Sequence, residues 1–165
     1  ARTPQPDRHA CDLREVVDSL QVLCSREASR QGVTIQVSYP NDLPEIFVDS
    51  SQIQQALLNV VLNGIQAMES GGRLFIQAER KAETIQVRIQ DEGSGIPPEH
   101  RSNIFDPFFT TKERGTGLGM SIAHRLVHGH GGDIRLLDNG IPGTTFLVEL
   151  PQRRSKDERE NTNSR

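Results

Sequence analysis

The sequence predicts an α+β fold, a two-layer sandwich in which a mixed, mostly antiparallel sheet packs on about three helices. Apolar residues recur at helical spacing in three stretches, and shorter runs between them alternate apolar and polar residues. The strand-like runs follow one another instead of alternating regularly with helices, which excludes a βαβ arrangement.

The three helices are expected at residues 12–31, about 49–68 and 117–130. Asp12 is a plausible N-cap of the first helix, and Asp49 or Ser50 of the second. Gly32 and the Gly71–Gly72 pair then mark the ends of these two helices.

The strands are expected at residues 33–39, 45–48, 74–78, 84–90, 134–137 and 144–150. Asn139–Gly140 is a hairpin turn signal between the last two.

The chain of 165 residues is long enough for one domain with a substantial core. Residues 1–11 contain two prolines and are expected to be a linker, and residues 12–150 form the domain. Residues 152–165 contain no apolar side chain, so 151–165 is expected to be a disordered tail. Because the chain lacks an initiator methionine, we expect a piece of a longer protein whose parent could be membrane-anchored.

Composition excludes several partners. A net charge of -3 gives no reason to expect nucleic acid or an anionic membrane surface. No apolar run approaches the roughly 20 residues of a membrane span. Cys11 and Cys24, on one predicted helix, would lie about 20 Å apart, too far for a disulfide. We therefore expect two reduced packing residues of a cytoplasmic domain.

The glycine motifs carry the strongest functional signal. Asp91 precedes Gly93 and Gly95, and a second cluster, residues 115–119, opens the last predicted helix. Glycine permits close approach of backbone to ligand, and a helix N-terminus favours anions. With the amides of Asn59 and Asn63 upstream, this pattern indicates a pocket for a base and phosphates, and hence an ATP site.

With these motifs the chain, over roughly Asp12 to Leu150, resembles the catalytic ATP-binding domain of bacterial sensor histidine kinases, whose superfamily includes gyrase, heat-shock-90 chaperones and MutL-type repair ATPases. Four motifs appear in the family's order, followed by a weaker fifth: Asn59–Ala67, Asp91–Gly95, Phe105–Lys112, Gly115–Gly119 and Gly143–Phe146. The resemblance implies the Bergerat ATP-binding fold. The Phe-Phe-Thr-Thr-Lys form of the third motif favours the nitrogen-regulator type.

The resemblance implies the role of each motif. Asn63 binds the magnesium ion that bridges the ATP phosphates, and Asn59 lies beside it. Asp91 accepts a hydrogen bond from the adenine amino group, with Thr145 holding a water nearby. Lys112 contacts the γ-phosphate. Catalytic roles thus fall on Asn59, Asn63 and Lys112, and nucleotide binding on Asn59, Asn63, Asp91, Gly93, Gly95, Ile96, Phe109, Thr110, Thr111, Lys112, Gly115, Thr116, Gly117, Leu118, Gly119 and Thr145.

Each motif also has a purely structural interpretation. Asn59 and Asn63 share one helical face, which could be only polar, and Asp91 could cap a turn. The three phenylalanines of residues 105–109 could be core. Two positions depart from the family pattern: Gly64 replaces the usual alanine, and Gln66 replaces a basic residue, which could remove a phosphate contact.

Residues 97–114 are expected to form a lid over the nucleotide. Apart from the phenylalanines and Ile104 they offer little apolar surface. We therefore expect mobility without nucleotide and closure over a triphosphate.

The expected activity is transfer of the γ-phosphoryl group of Mg-ATP to a histidine on a separate dimerisation domain, and from there to a response regulator. The fragment itself is expected to be monomeric. None of the five histidines is followed by an acidic residue, as the family's phosphoacceptor is. The alternatives are a nucleotide-gated docking module or degenerate kinase, and an ATP hydrolase of the gyrase or MutL type. The hydrolases carry a glutamate base where Asn59 stands, as anti-sigma-factor serine kinases usually do.

Overall fold

The computed structural model describes residues 4–110 and 117–152. In the described residues the elements are β1 (His9–Cys11), α1 (Leu13–Leu23), α2 (Ser25–Gln31), β2 (Val33–Ser38), β3 (Ile46–Val48), α3 (Ser50–Gln66), β4 (Gly72–Lys81), β5 (Thr84–Asp91), a 3-10 helix (Pro98–Asn103), α4 (Gly119–His128), β6 (Asp133–Leu137) and β7 (Thr145–Pro151).

Five strands form one mixed sheet in the order β2-β4-β5-β7-β6. The pair β2–β4 is parallel, and the other three pairs are antiparallel. The predicted α+β class with a mostly antiparallel sheet is confirmed.

One face of the sheet packs against the helices and forms the core. Because side chains of a strand alternate between faces, every second residue of each strand is on this face. Ile76, Ile85, Val87 and Val148 are fully buried. Full burial of one such side chain contributes roughly 1.5–3 kcal/mol, so this face holds the helical layer firmly. Gln77 on the opposite face is exposed.

The predicted first helix is two helices, which corrects the expected count. α1 ends at Leu23 and α2 begins at Ser25, with Cys24 between them at φ -95° and ψ 0°. The Ser25 hydroxyl donates to the carbonyl oxygen of Val22 at 2.8 Å, a local bond that competes with continuous helical bonding. Cys24 and Ala28 are both buried in the core, so the apolar stripe of α1 continues across the break.

The predicted linker also contains regular structure. Its last three residues form β1, which pairs antiparallel with β3 in a separate two-stranded sheet. Cys11 is therefore in a strand and not in a helix. Burial, aided by nearby carboxylates, raises the pKa of the Cys11 thiol to about 11, and burial does the same for Cys24. Both thiols are free.

The start of α3 agrees with prediction. Asp49 is its N-cap, and its carboxylate accepts from the backbone N–H of Gln52 at 3.2 Å. At the other end of the chain, the sheet continues through Pro151, and residues 153–165 of the expected tail lie outside the described residues. Within the described part of the chain, no helix combines the length and apolarity needed to cross a bilayer.

Candidate functional site

Two asparagines lie four positions apart on α3, and the first of them reaches the start of α4. Asn59 and Asn63 are half-buried beside the fully buried Val60 and Val61. The side-chain nitrogen of Asn59 donates to the carbonyl oxygen of Gly119 at 3.1 Å. This bond joins the asparagine motif to the second glycine motif, so Asn59 is not merely a solvated residue of a polar helix face.

Asp91, the last residue of β5, is buried at 3% exposure. Its Oδ1 accepts from the backbone N–H of Gly93 at 2.9 Å and of Thr144 at 3.2 Å. A buried carboxylate needs such partners because its desolvation is costly. The turn-capping interpretation is therefore realised, and the same bonds fix the carboxylate in place beside α3.

The first glycine motif passes very close to the end of α3. A Cβ atom at Gly93 would lie 2.6 Å from the carbonyl oxygen of Ala67 and 3.0 Å from Oδ1 of Asp91. Any larger residue would push the loop away from α3 and break the N–H contact to Asp91. Gly95 and Ile96 follow, and Ile96 packs against the core.

Gly64 has a packing reason. Its Cα faces Asp91 and β4, and a Cβ there would lie 2.8 Å from Cδ1 of Leu74 and 3.5 Å from Oδ2 of Asp91. A Leu74 methyl group thus takes the space that an alanine would need. Gln66, the other departure from the family pattern, is exposed in the last turn of α3.

Thr145 does not lie beside Asp91, and this expectation is corrected. It pairs with Gln90, and its hydroxyl accepts from Asn139 at 3.3 Å. Since strand residues alternate between faces, Thr145 points away from the helices, and Thr144 lies on the side of Asp91. The backbone N–H of Asp91 donates to the carbonyl oxygen of Thr144 at 2.9 Å. Extending the alternation of the apolar β7 residues by one step would have found Thr144.

The described part of the predicted lid, residues 97–110, contains the 3-10 helix. Ile104 is buried, and Phe105 packs against the rings of His124 at 5.0 Å and Phe146 at 6.1 Å between centroids. Phe109 contacts the ring of His100 at 5.4 Å. Ile104 and Phe105 therefore anchor the segment to the core.

Phe108 differs from its neighbours. It is 74% exposed and has φ 66°, an uncommon conformation for a bulky residue. Its N–H donates to the carbonyl oxygen of Gly117 at 2.9 Å. A Cβ at Gly117 would lie 2.4 Å from the Phe108 carbonyl carbon, so only glycine permits this approach.

The contact between residues 108 and 117 closes a loop whose centre, residues 111–116, lies outside the described residues. Four predicted site residues are in that stretch: Thr111, Lys112, Gly115 and Thr116. Thr110 is exposed at one edge of the stretch, and Leu118 and Gly119 are half-buried at the start of α4.

The histidines of α4 support the lid anchor. His124 stacks on His128 at 4.1 Å between centroids, and Nε2 of His128 lies 3.4 Å from a carboxylate oxygen of Asp133. Burial, then the nearby charge of His128, lowers the pKa of His124, against an opposing effect of Asp133. The neutral ring thus packs on Phe105. Among the described residues, no group of three or more His, Cys, Asp or Glu side chains could hold a metal ion.

Two concavities lie on the described surface. One, of about 410 Å³, is on the sheet face away from the helices and is lined by residues including Ser38, Gln77 and Arg88. Another, of about 260 Å³, borders Ile96, Gly143, Thr144 and Thr145. Neither contains Asn59, Asn63 and Asp91. The larger one holds no predicted site residue, so we assign the site by its side chains and not by volume.

Residues 48–154 match the family model of histidine kinase-, DNA gyrase B-, and HSP90-like ATPases. The sensor histidine kinase ZraS of Escherichia coli is 34% identical over 142 residues, which are 86% of this chain and 30% of ZraS. The chain thus spans less than a third of that curated relative.

Solved structures agree with this match. Full-length ShkA in complex with AMPPNP has a TM-score of 0.83 at 26% identity, covering 94% of this chain and 33% of ShkA. The catalytic domain of histidine kinase ThkA has a TM-score of 0.80 at 30% identity, covering 88% of this chain and 96% of that domain. ThkA has also been solved in complex with the response regulator TrrA, at a TM-score of 0.77 and 28% identity, covering 90% of this chain and 42% of ThkA.

Proposed function

This chain belongs to the family of histidine kinase-, DNA gyrase B-, and HSP90-like ATPases, and within it to the histidine kinase catalytic domains. From this membership and the geometry of the site, we propose the following function. The chain binds Mg-ATP and presents the γ-phosphoryl group to a histidine on a separate dimerisation domain of its parent. The observation that carries this proposal is the arrangement of two side chains. Two backbone N–H groups fix the carboxylate of Asp91 beside α3, and Asn59 of α3 is hydrogen-bonded to the start of α4.

Asp91 selects the base. A carboxylate held by two backbone N–H groups can only accept further hydrogen bonds, and adenine presents an amino donor where guanine presents an oxygen. Two facing acceptors would leave both unpaired, so guanine is rejected. We assign Thr144, which lies on the same side of the sheet as Asp91, to the part of the site that binds the adenine base. Thr145 has no role there.

The phosphates lie toward the start of α4. At Gly119 no atom lies within 4 Å of the position that a Cβ would take, which leaves the backbone open there, and the helix dipole favours an anion at this end. We assign Lys112 to the γ-phosphate as a point charge with flexible reach, supported by its place in the motif.

The side chains present fit a magnesium ion bound mainly through phosphate. Asn63 offers a neutral amide oxygen on α3, one helical turn after Asn59, and Mg²⁺ usually takes few protein ligands and keeps several waters. When bound, the ion neutralises charge on the phosphates. The protein's part is to orient the nucleotide through Asp91, Asn59 and Asn63, since positioning and electrostatics dominate phosphoryl transfer.

An ATP hydrolase is a weaker proposal. Hydrolases of the gyrase type need a base to activate water, and Asn59 stands at that position. Its amide nitrogen is already donating to Gly119, and an amide is not a proton acceptor at neutral pH. This observation favours phosphoryl transfer over hydrolysis.

The remaining partners follow from the proposed activity. The ThkA–TrrA complex supports a response regulator as the second partner. We propose a cytoplasmic location, which the two free thiols support. We propose a monomer, with dimer contacts supplied by the upstream domain, and place the catalytic domain at residues 9–151 because β1 pairs with β3.

The experiment mixes the chain with candidate dimerisation domains and ATP labelled at the γ-phosphate. Acid-labile, base-stable label on the dimerisation domain is expected. Release of labelled phosphate with no label on any domain would favour the hydrolase instead, and absence of both would favour a docking module.

A further inference from the structure

Helices α3 and α4 form an antiparallel pair that is hydrogen-bonded at both ends. At one end Asn59 donates to the carbonyl oxygen of Gly119 at 3.1 Å. At the other, the backbone N–H of Asp49 donates to Nε2 of His130 at 3.1 Å. The first bond lies in the candidate nucleotide site. The second is about 15 Å from it along α3, at 1.5 Å per residue.

His130 is a fixed link and not a surface residue. It is buried at 6% exposure, and its Nδ1 lies 2.8 Å from the carbonyl oxygen of Leu126. A carbonyl can only accept and a backbone N–H can only donate, so His130 carries its proton on Nδ1 and accepts at Nε2. The neutral ring thereby joins the last turn of α4 to the N-cap of α3.

The N-terminal segment Pro4–His9, here called the strap, crosses this same junction. Four hydrogen bonds hold it on the ends of α3 and α4: the Asp7 N–H to Oδ2 of Asp49 at 3.0 Å, the Arg8 guanidinium to the Gly129 carbonyl at 2.9 Å, the Gln52 amide to the Pro4 carbonyl at 3.1 Å, and the His9 ring with the Ser50 hydroxyl at 3.0 Å. Beyond the strap, β1 continues into its pairing with β3.

We propose that His130 and Asp49 are positioning residues for the nucleotide site and that the strap secures them. The inference rests on the proposed function. The junction fixes the end of α4, so the start of α4 keeps its distance from Asn59 and Asn63. A displaced strap loosens the junction and weakens nucleotide binding without touching the nucleotide.

The first test compares His130→Ala with His130→Gln. Glutamine keeps one donor and one acceptor, whereas alanine removes both. Titration calorimetry with Mg-AMPPNP is expected to show about three- to tenfold weaker binding for His130→Ala, which lies within the roughly two- to thirtyfold effect of residues outside the ligand contacts. His130→Gln should restore most of that loss.

A control separates positioning from general loss of stability. Val17→Ala removes buried apolar contacts from α1, which packs on α3 and β2. Unfolding curves establish the temperature at which all variants are folded, and Val17→Ala is expected to bind within twofold of the parent chain. Equal weakening in Val17→Ala and His130→Ala overturns the proposal, as does a glutamine variant no better than alanine.

The strap is tested by Asp49→Ser. Serine is an equally good N-cap, but it lacks the second oxygen that accepts from Asp7. The matched control is Asp12→Ser at the N-cap of α1. Weaker Mg-AMPPNP binding only in Asp49→Ser supports the strap's role, and equal binding in the two variants overturns it.

Hydrogen exchange distinguishes this proposal from the proposed function. Without nucleotide, amides 119–123 should exchange faster in His130→Ala than in the parent chain and in Val17→Ala. If the parent chain bound no nucleotide, the proposed function would fail, while the exchange rates would still decide the role of the junction.

Discussion

Replacing Asp91 with asparagine isolates the interaction that selects adenine. The asparagine carbonyl oxygen can keep accepting from the N–H groups of Gly93 and Thr144, so the turn is retained. The other oxygen becomes an NH₂ group that faces the adenine amino donor. Loss of a hydrogen bond to a charged group costs about 1.5–3 kcal/mol, which corresponds to an affinity for Mg-ATP that is weaker by about 10- to 150-fold.

Titration calorimetry with Mg-AMPPNP and the matching guanosine analogue measures both affinities. The ratio of adenine to guanine affinity should fall, because the new NH₂ group is a donor for the guanine oxygen. Glu92→Gln is the matched control, since it makes the same carboxylate-to-amide change on the next residue. Glu92 is exposed and pairs with Arg73 at 3.1 Å, so the control should bind ATP within about twofold of the parent.

Equal losses for the adenine and guanine analogues in Asp91→Asn would show that the carboxylate only stabilises its turn. Equal affinity of the parent chain for both analogues would refute the claim that Asp91 selects adenine over guanine.

Other predictions concern the phosphates, the sheet register and the thiols. Lys112→Ala should weaken ATP more than ADP in calorimetry, since its assigned partner is the γ-phosphate. Thr144→Val should weaken Mg-ATP about fivefold, the value of one hydroxyl hydrogen bond, whereas Thr145→Val should bind as the parent does. Cys11 and Cys24 should resist a thiol reagent at pH 8 until the chain is unfolded. Burial raises the pKa of both thiols from 9.0 to about 11. The folded chain should therefore keep its full free energy of unfolding below pH 9 and lose stability as the pH rises toward 11, because only the unfolded thiols ionise in that interval. The urea midpoint as a function of pH measures this loss.

Local signals made much of the fold predictable. The alternation of Ile85, Val87 and Ile89 gave β5 within one residue, and Asp49 is the N-cap expected from its side chain. The break at Cys24 was missed because the apolar stripe of α1 continues through it. The pairing of β1 with β3 was missed because it depends on contacts far apart in sequence, while two prolines suggested a linker.

The site shows the same division. The motifs predicted Asn59, Asn63 and Asp91 as site residues, and the structure brings Asn59 to Gly119 across the helix pair. Whether Thr144 or Thr145 lies on the side of Asp91 depends on the register of β7 against β5, and this register cannot be predicted from a local motif. The space for Gly64 is likewise set by Leu74 on a neighbouring strand.

The most direct test of the site is a nuclear magnetic resonance titration of the labelled chain with Mg-AMPPNP. Backbone amide shifts are expected to change at residues 59–67, 91–96, 117–121 and 143–144, around Asn59, Asn63 and Asp91. No change is expected on the opposite sheet face, where Gln77 and Arg88 line the larger concavity. Shift changes centred on Gln77 and Arg88, with none near Asp91, would contradict the assignment of the nucleotide site.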